Sequence, residues 1–220
     1  LRCTCCLEDD LRIDESHCFC SKCRNSYPID SGIPRLFWHE ELQHREASVL
    51  SSVKAFYEDI TFPDYEEAED VTHLVEKKKG TLAGALDEQL PMGTRVLDIG
   101  CGTGQLTNFL SISNRIVYGV DASLSSLRKA QQFKEKNHLD RSHFVQGNLF
   151  KPPFPLGFFD VVIANGVLHH THSAHSAFDS IVRLVKPGGY IVVGLYHKYG
   201  RLFTDLRRLL FAKTKMLRFL

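Results

Sequence analysis

The sequence predicts an α/β fold: a doubly wound, mainly parallel sheet, preceded by a small metal-stapled module. Three observations predict it. From Arg95 onward, short apolar runs that end in turn residues alternate with stretches of helical spacing, the pattern of parallel strands covered by helices on both faces. One of these runs, Val96-Leu97-Asp98-Ile99, passes through Gly100-Cys101-Gly102-Thr103-Gly104 into Gln105–Leu110, whose apolar residues have helical spacing. Such a strand–turn–helix unit sets backbone N–H groups and a helix N-terminus beside a ligand. Glycine is needed where the chain turns sharply or where a ligand must touch the backbone. Finally, six of the seven cysteines lie between Cys3 and Cys23.

The totals bound the answer. A chain of 220 residues holds one substantial core and a small extra module. Hydrophobic residues at 43% and charged residues at 24% are ordinary for a globular protein. The 27 lysines and arginines nearly balance the 26 aspartates and glutamates, so net charge gives no argument for nucleic acid or an anionic membrane. No apolar run approaches the ~20 residues of a membrane span. The cysteine usage reads as metal binding in a reducing, cytoplasmic compartment.

Residues 1–36 form the first module. Cys3-x-x-Cys6 and Cys20-x-x-Cys23 are two knuckles suited to a tetrahedral structural zinc. So short a segment has little core, and metal would stabilise it. Cys5 and Cys18 remain open as ligands, through Cys5-Cys6 or Cys18-x-Cys20, and a disulfide framework is the alternative. Four thiolates leave no open position, which argues against a catalytic metal. Tyr27-Pro28-Ile29-Asp30-Ser31-Gly32-Ile33-Pro34-Arg35-Leu36 follows the second knuckle. Together these resemble the zinc-ribbon activator subunits of tRNA and protein methyltransferases.

Residues 37–92 read as a helical cap or linker. Phe37–Ile60 and Val71–Leu90 carry helical spacing, the second broken near Gly80 and Gly84. Tyr57, Phe62 and Tyr65 are either pocket-lining or plain core aromatics. The core, residues 93–197, begins with the glycine loop. Its G-x-G-x-G spacing differs from the dinucleotide fingerprint G-x-G-x-x-G. The loop, with Asp98 before it, resembles the cofactor loop of the class I S-adenosylmethionine-dependent methyltransferases. Arg115–Asp121 is a second strand ending in a carboxylate that can accept both hydroxyls of a ribose. Ser123 is the better cap for the helix running to about Asn137. His143–Leu149 is a third strand; Asn148 stands where the resemblance expects an aspartate on the adenine amino group. Phe159–Ala164 and Asn165-Gly166-Val167-Leu168-His169-His170 resemble the family's fourth strand and its motif. Phe178–Val185 reads as the next helix, Lys186-Pro187-Gly188-Gly189 as a turn, and Tyr190–Leu195 as a fifth strand.

The resemblance implies a Rossmann-like class I fold, apparently without the usual C-terminal antiparallel strand pair. It implies cofactor contacts from Asp98, Gly100, Cys101, Gly102, Gly104, Asp121, Ala122, Asn148, Leu149 and Asn165. Structural zinc would sit on Cys3, Cys6, Cys20 and Cys23. The implied reaction is in-line methyl transfer from S-adenosylmethionine to a small-molecule acceptor, of lipid or quinone type. His169 and His170 are the candidate bases, since histidine titrates near neutrality. Cys101 reads as a packed residue rather than a nucleophile. An RNA base is the alternative acceptor, and a non-catalytic cofactor-binding scaffold the alternative class. Residues 198–220 are basic and amphipathic, with Leu202, Leu206, Leu209 and Phe211 among Arg201, Arg207 and Arg208. They read as a truncated helix of the sheet, or as a contact to a protein partner or membrane surface.

Overall fold

A computed structural model describes residues 1–9, 11–37 and 70–195. Tyr57, Phe62, Tyr65 and the basic segment 198–220 lie outside the described residues. The N-terminal module is a four-stranded antiparallel sheet in sequence order: β1 (Leu11–Ile13), β2 (His17–Cys20), β3 (Ser26–Asp30) and β4 (Ile33–Pro34). Asp14 closes the first hairpin, its Oδ1 accepting the N–H groups of Ser16 and His17 at 2.7 Å each.

Two helices then lead to the central sheet. In α1 (Val71–Lys78), Asp70 caps the N-terminus by accepting the His73 N–H at 2.9 Å. α2 (Leu82–Gln89) follows the expected break at Gly80. Gly84 does not break the helix as expected but lies inside it. A Cβ there would come within 2.7 Å of the Lys78 carbonyl oxygen, so glycine lets α2 approach the end of α1.

The central sheet holds β5 (Arg95–Ile99), β6 (Ile116–Asp121), β7 (Ser142–Gln146), β8 (Phe159–Asn165) and β9 (Val185–Gly194). Their order is β7-β6-β5-β8-β9 and every neighbouring pair is parallel. Helices α3 (Gln105–Ile112), α4 (Leu124–Lys136) and α5 (Ala174–Val182) complete the described elements. Strand order reverses between β5 and β8, which opens a crevice at their carboxyl ends. Alternate residues of β5 and β8 face opposite layers. Val96, Val161 and Ile163 pack with Leu74, Phe109, Leu110 and Phe133, whereas Leu97, Val162 and Ala164 pack with Phe154, Phe159, Ala177 and Ile181.

Three limits differ from expectation. β7 ends at Gln146 because Asn148 folds into a turn, its side-chain oxygen accepting the Phe150 N–H at 3.0 Å. α5 starts at Ala174, where Ser173 accepts the Ser176 N–H at 3.2 Å. The Lys186–Gly189 turn lies within β9, as an irregularity between the pairs Phe159–Val185 and Val161–Tyr190.

The small module extends this sheet. Arg35 pairs with Gln146 in a parallel bridge, and the Leu36 N–H donates to the Gln146 carbonyl at 2.8 Å. Ile33 is fully buried among Cys101, Leu127, Ala130 and Phe144. Burying that side chain is worth about 2–3 kcal/mol. The Asp30–Arg128 pair, at 2.7 Å but half-exposed, is worth under about 1 kcal/mol. Apolar contact therefore dominates the docking.

Arg115 fastens the helices to the sheet. It is 3% exposed, pairs with Asp87, and donates to the backbone carbonyls of Asp87 at 2.7 Å and Leu90 at 3.1 Å. Its removal strands those carbonyls and a partly buried carboxylate. Arg115→Leu is expected to lower stability by about 3 kcal/mol in urea unfolding. A change below about 0.5 kcal/mol would show that this network holds nothing together.

Candidate functional site

The glycine loop is held by backbone and by Asp121. The Gly100 and Cys101 N–H groups donate to the Val120 carbonyl at 2.7 and 3.1 Å. Asp121, at the end of β6, accepts the Gly102 N–H at 2.8 Å and the Ser123 N–H at 2.8 Å. Ser123 in turn caps α4 by accepting the Ser126 N–H. Gly104 has φ +73, and a Cβ there would lie 2.6 Å from both Ala130 and Phe144. Its glycine is thus required by protein packing as well as by backbone conformation.

Two carboxylates, Asp98 buried and Asp121 half-buried, define the electrostatics. Asp98 is 4% exposed and accepts the Thr107 hydroxyl at 2.8 Å. Burial pushes its pKa up and the charge of Asp121 adds to this; the Thr107 hydroxyl and Lys78 oppose, leaving it at about 7. Burial also raises Asp121, against the N–H bonds from Ser123, Gly102 and Ala122. The Lys78 ammonium, held down by burial, donates to Gln105 Oε1 at 2.9 Å at the start of α3. Cys101 is buried, and burial with the charges of Asp121 and Asp98 pushes its thiol well above the ordinary range. It packs with Ile33, Leu127, Ala130 and Phe144.

The remaining candidates lie at the carboxyl ends of β6, β7 and β8. Ala122 follows Asp121 and its carbonyl accepts from Gln146 Nε2 at 2.9 Å. Asn148 and Leu149 form the turn after β7, and the Leu149 carbonyl accepts the Ser180 hydroxyl at 2.7 Å. Asn165 is exposed at the end of β8. His169 and His170 lie in a single 3-10 turn, Leu168–His170, with ring centroids 4.1 Å apart. His170 is exposed and His169 half-buried. His172 stacks on Phe150 at 4.4 Å. Thr107, Gln105, Lys78, Gln146 and Arg35 were not legible as site residues. Thr107 reaches Asp98 only nine residues away, across the loop; the others meet the site through partners far off in sequence, up to 111 residues away, so no local spacing marks them.

In the small module, the sulfur atoms of Cys3, Cys6, Cys20 and Cys23 all lie within 4.8 Å of one another. Cys5 and Cys18 are outside this group. The two knuckles share one geometry. The N–H of Leu7 donates to the Cys3 carbonyl and that of Arg24 to the Cys20 carbonyl, both at 2.9 Å. The Cys3 and Cys20 N–H groups donate onward to the carbonyls of Glu8 and Asn25. Leu7 and Arg24 both adopt positive φ, at 59° and 61°. Burial raises the Cys3 thiol, but the Tyr27 hydroxyl, the Cys6 and Cys5 N–H groups and Cys23 outweigh it and bring it to about 7. Burial pushes Cys6 up to about 12.

Residues 97–193 match the family described as a methyltransferase domain. The sterol 24-C-methyltransferase ERG6B of Gibberella zeae is 34% identical over 116 residues, covering 52% of this chain and 29% of that protein. The cycloartenol-C-24-methyltransferase of Arabidopsis thaliana is 28% identical over 159 residues, covering 66% of this chain and 47% of that protein. An uncharacterized methyltransferase of Synechocystis is 36% identical over 114 residues, 50% of this chain and 51% of its own. The chain spans about half or less of the length of such curated relatives. The fold is shared with the PH0226 protein of Pyrococcus horikoshii, at TM-score 0.54 and 24% identity over 70% of this chain and 71% of that one. It is shared also with the [4+2]-cyclase SpnF, at TM-score 0.52 and 24% identity over 64% of this chain and 58% of that one. Residues 97–193 are thus similar to a methyltransferase domain, and the five-stranded parallel sheet that they build shares its fold with these solved structures.

Proposed function

We propose that this chain is an S-adenosylmethionine-dependent methyltransferase with a small, lipid-like acceptor, and that its N-terminal module holds a structural zinc. The observation that carries the reading is a pair of carboxylates beside the glycine loop, Asp98 buried beneath it and Asp121 half-buried at the end of β6 where it holds the Gly102 N–H. A cofactor with an ammonium suits Asp98, because a nearby positive charge favours the ionised form of a buried carboxylate, and a cofactor with a ribose suits Asp121, which can accept two hydroxyls. In this reading Asp121 accepts the ribose hydroxyls, Gly100, Cys101, Gly102 and Gly104 lie along the amino-acid part, and Asn148 and Leu149 flank the base. Asp98, Ala122 and Asn165 complete the cofactor residues.

When bound, the cofactor supplies an already activated methyl group, so the chain's task is to align the acceptor. His169 and His170 take a proton if the acceptor must lose one. A lipid-like acceptor is supported by the two relatives whose names specify sterol or cycloartenol, each matched over less than half its length. The functional divisions are 1–36 for the zinc module, 37–92 for the cap, 93–197 for the cofactor domain and 198–220 for the basic segment. No helix among the described residues is long and apolar enough to cross a membrane.

The cofactor reading is tested by calorimetric titration with S-adenosylmethionine. Micromolar binding is expected, weakened about thirtyfold in Asp121→Ala. No heat with the folded, unmutated chain would sink the reading. For the zinc module, four thiols of two like knuckles fit a tetrahedral ion. Elemental analysis of the purified chain is expected to find about one zinc per molecule, lost in Cys20→Ser. A folded protein with four reduced thiols and no zinc would contradict it.

A further inference from the structure

We infer that Arg35, carried by the N-terminal module, is a positioning residue for the adenosine half of the cofactor site. This rests on the cofactor reading above. Arg35 Nε donates to Gln146 Oε1 at 3.0 Å, and the same Gln146 side chain donates from Nε2 to the Ala122 carbonyl at 2.9 Å. Gln146 is 2% exposed, so its amide has one geometry, and Arg35 determines which end faces Ala122. Ala122 directly follows Asp121, the ribose acceptor of the proposed site. Gln146 directly precedes Gly147-Asn148-Leu149, the turn that flanks the base. The Gly147 N–H closes the clamp on the Asp121 carbonyl at 3.0 Å. One chain of contacts thus runs from the module to both segments that would hold the nucleoside.

Docking of the module does not need this bond. Ile33 is buried in the central domain, the Arg2 N–H donates to the Pro153 carbonyl at 2.9 Å, and Arg128 grips Asp30 through two contacts of 3.1 and 2.7 Å. In the proposed site Gln146 spends its side chain on Arg35 and the Ala122 carbonyl, so its role is to set the spacing between the ends of β6 and β7. Arg35 acts through it.

The test compares four variants by calorimetry with two probes, S-adenosylhomocysteine and 5′-methylthioadenosine, which share only the adenosine half and its sulfur. Arg35→Leu is expected to weaken both by the same factor, about tenfold. Arg35→Lys, which still donates, is expected to recover most of that loss. Gln146→Glu is expected to weaken both as much as Arg35→Leu, because a carboxylate keeps Arg35 but cannot donate to the Ala122 carbonyl. Arg128→Leu, which loosens docking away from Gln146, is expected to bind within about twofold of the unmutated chain. The inference is overturned if Arg35→Leu and Gln146→Glu bind as the unmutated chain does, or if Arg128→Leu loses as much as Arg35→Leu. Absence of binding by the unmutated chain would overturn the cofactor reading itself, and this inference with it.

Discussion

Two carboxylates, Asp98 buried and Asp121 half-buried, stand at the carboxyl ends of adjacent strands, and much of the local architecture exists to keep them there. Burying a carboxylate is costly unless donors reach it. Asp121 receives the Gly102 and Ser123 N–H groups, and Asp98 receives the Thr107 hydroxyl. Those donors in turn constrain the chain. The Gly102 bond bends the loop over the end of β6, and the Ser123 bond leads into the cap of α4. Thr107 couples the first turn of α3 to β5. The glycine loop is therefore shaped by what the carboxylates demand, and its glycines leave room for Ala130, Phe144 and Val167 on the protein side.

The N-terminal module is part of this construction rather than an appendage. It adds a position to the β7 edge of the central sheet, the kind of edge that otherwise invites pairing with another chain. Its anchor is apolar, with Ile33 inserted beside Cys101 of the glycine loop. Two of its hydrogen bonds, from the Arg35 side chain and the Leu36 N–H, converge on Gln146. The four clustered thiols lie at the other end of the same small sheet, where two like knuckles hold them. A segment with so little core of its own therefore joins a metal-type cluster to the rim of the central site.

What was legible in the sequence was local. The run Val96 to Ile99 with its glycines could be read because strand, turn and helix are adjacent and each follows its own period. The two cysteine pairs could be read because ligand spacing is a short-range property. Spacing alone left Cys5 and Cys18 open, and only three-dimensional proximity separates them from the four clustered sulfurs. Gly84 and the Lys186–Gly189 segment misled because glycine and proline mark turns in general, while here one serves a close helix contact and the other a bulge within β9. α5 begins early because a serine cap is a weak local signal beside a histidine-rich stretch. The long-range pairs, Arg115 with Asp87, Lys78 with Gln105 and Arg35 with Gln146, leave no trace in spacing at all.

The central claim is that Asp121, held at the end of β6 by backbone N–H groups, is the group that receives the ribose of the cofactor. A crystal structure of the chain grown with S-adenosylhomocysteine tests it most directly. The account predicts the nucleoside over the glycine loop, with both ribose hydroxyls within hydrogen-bond distance of the Asp121 carboxylate. A nucleoside bound elsewhere, with Asp121 still engaged only by Gly102 and Ser123, would contradict it.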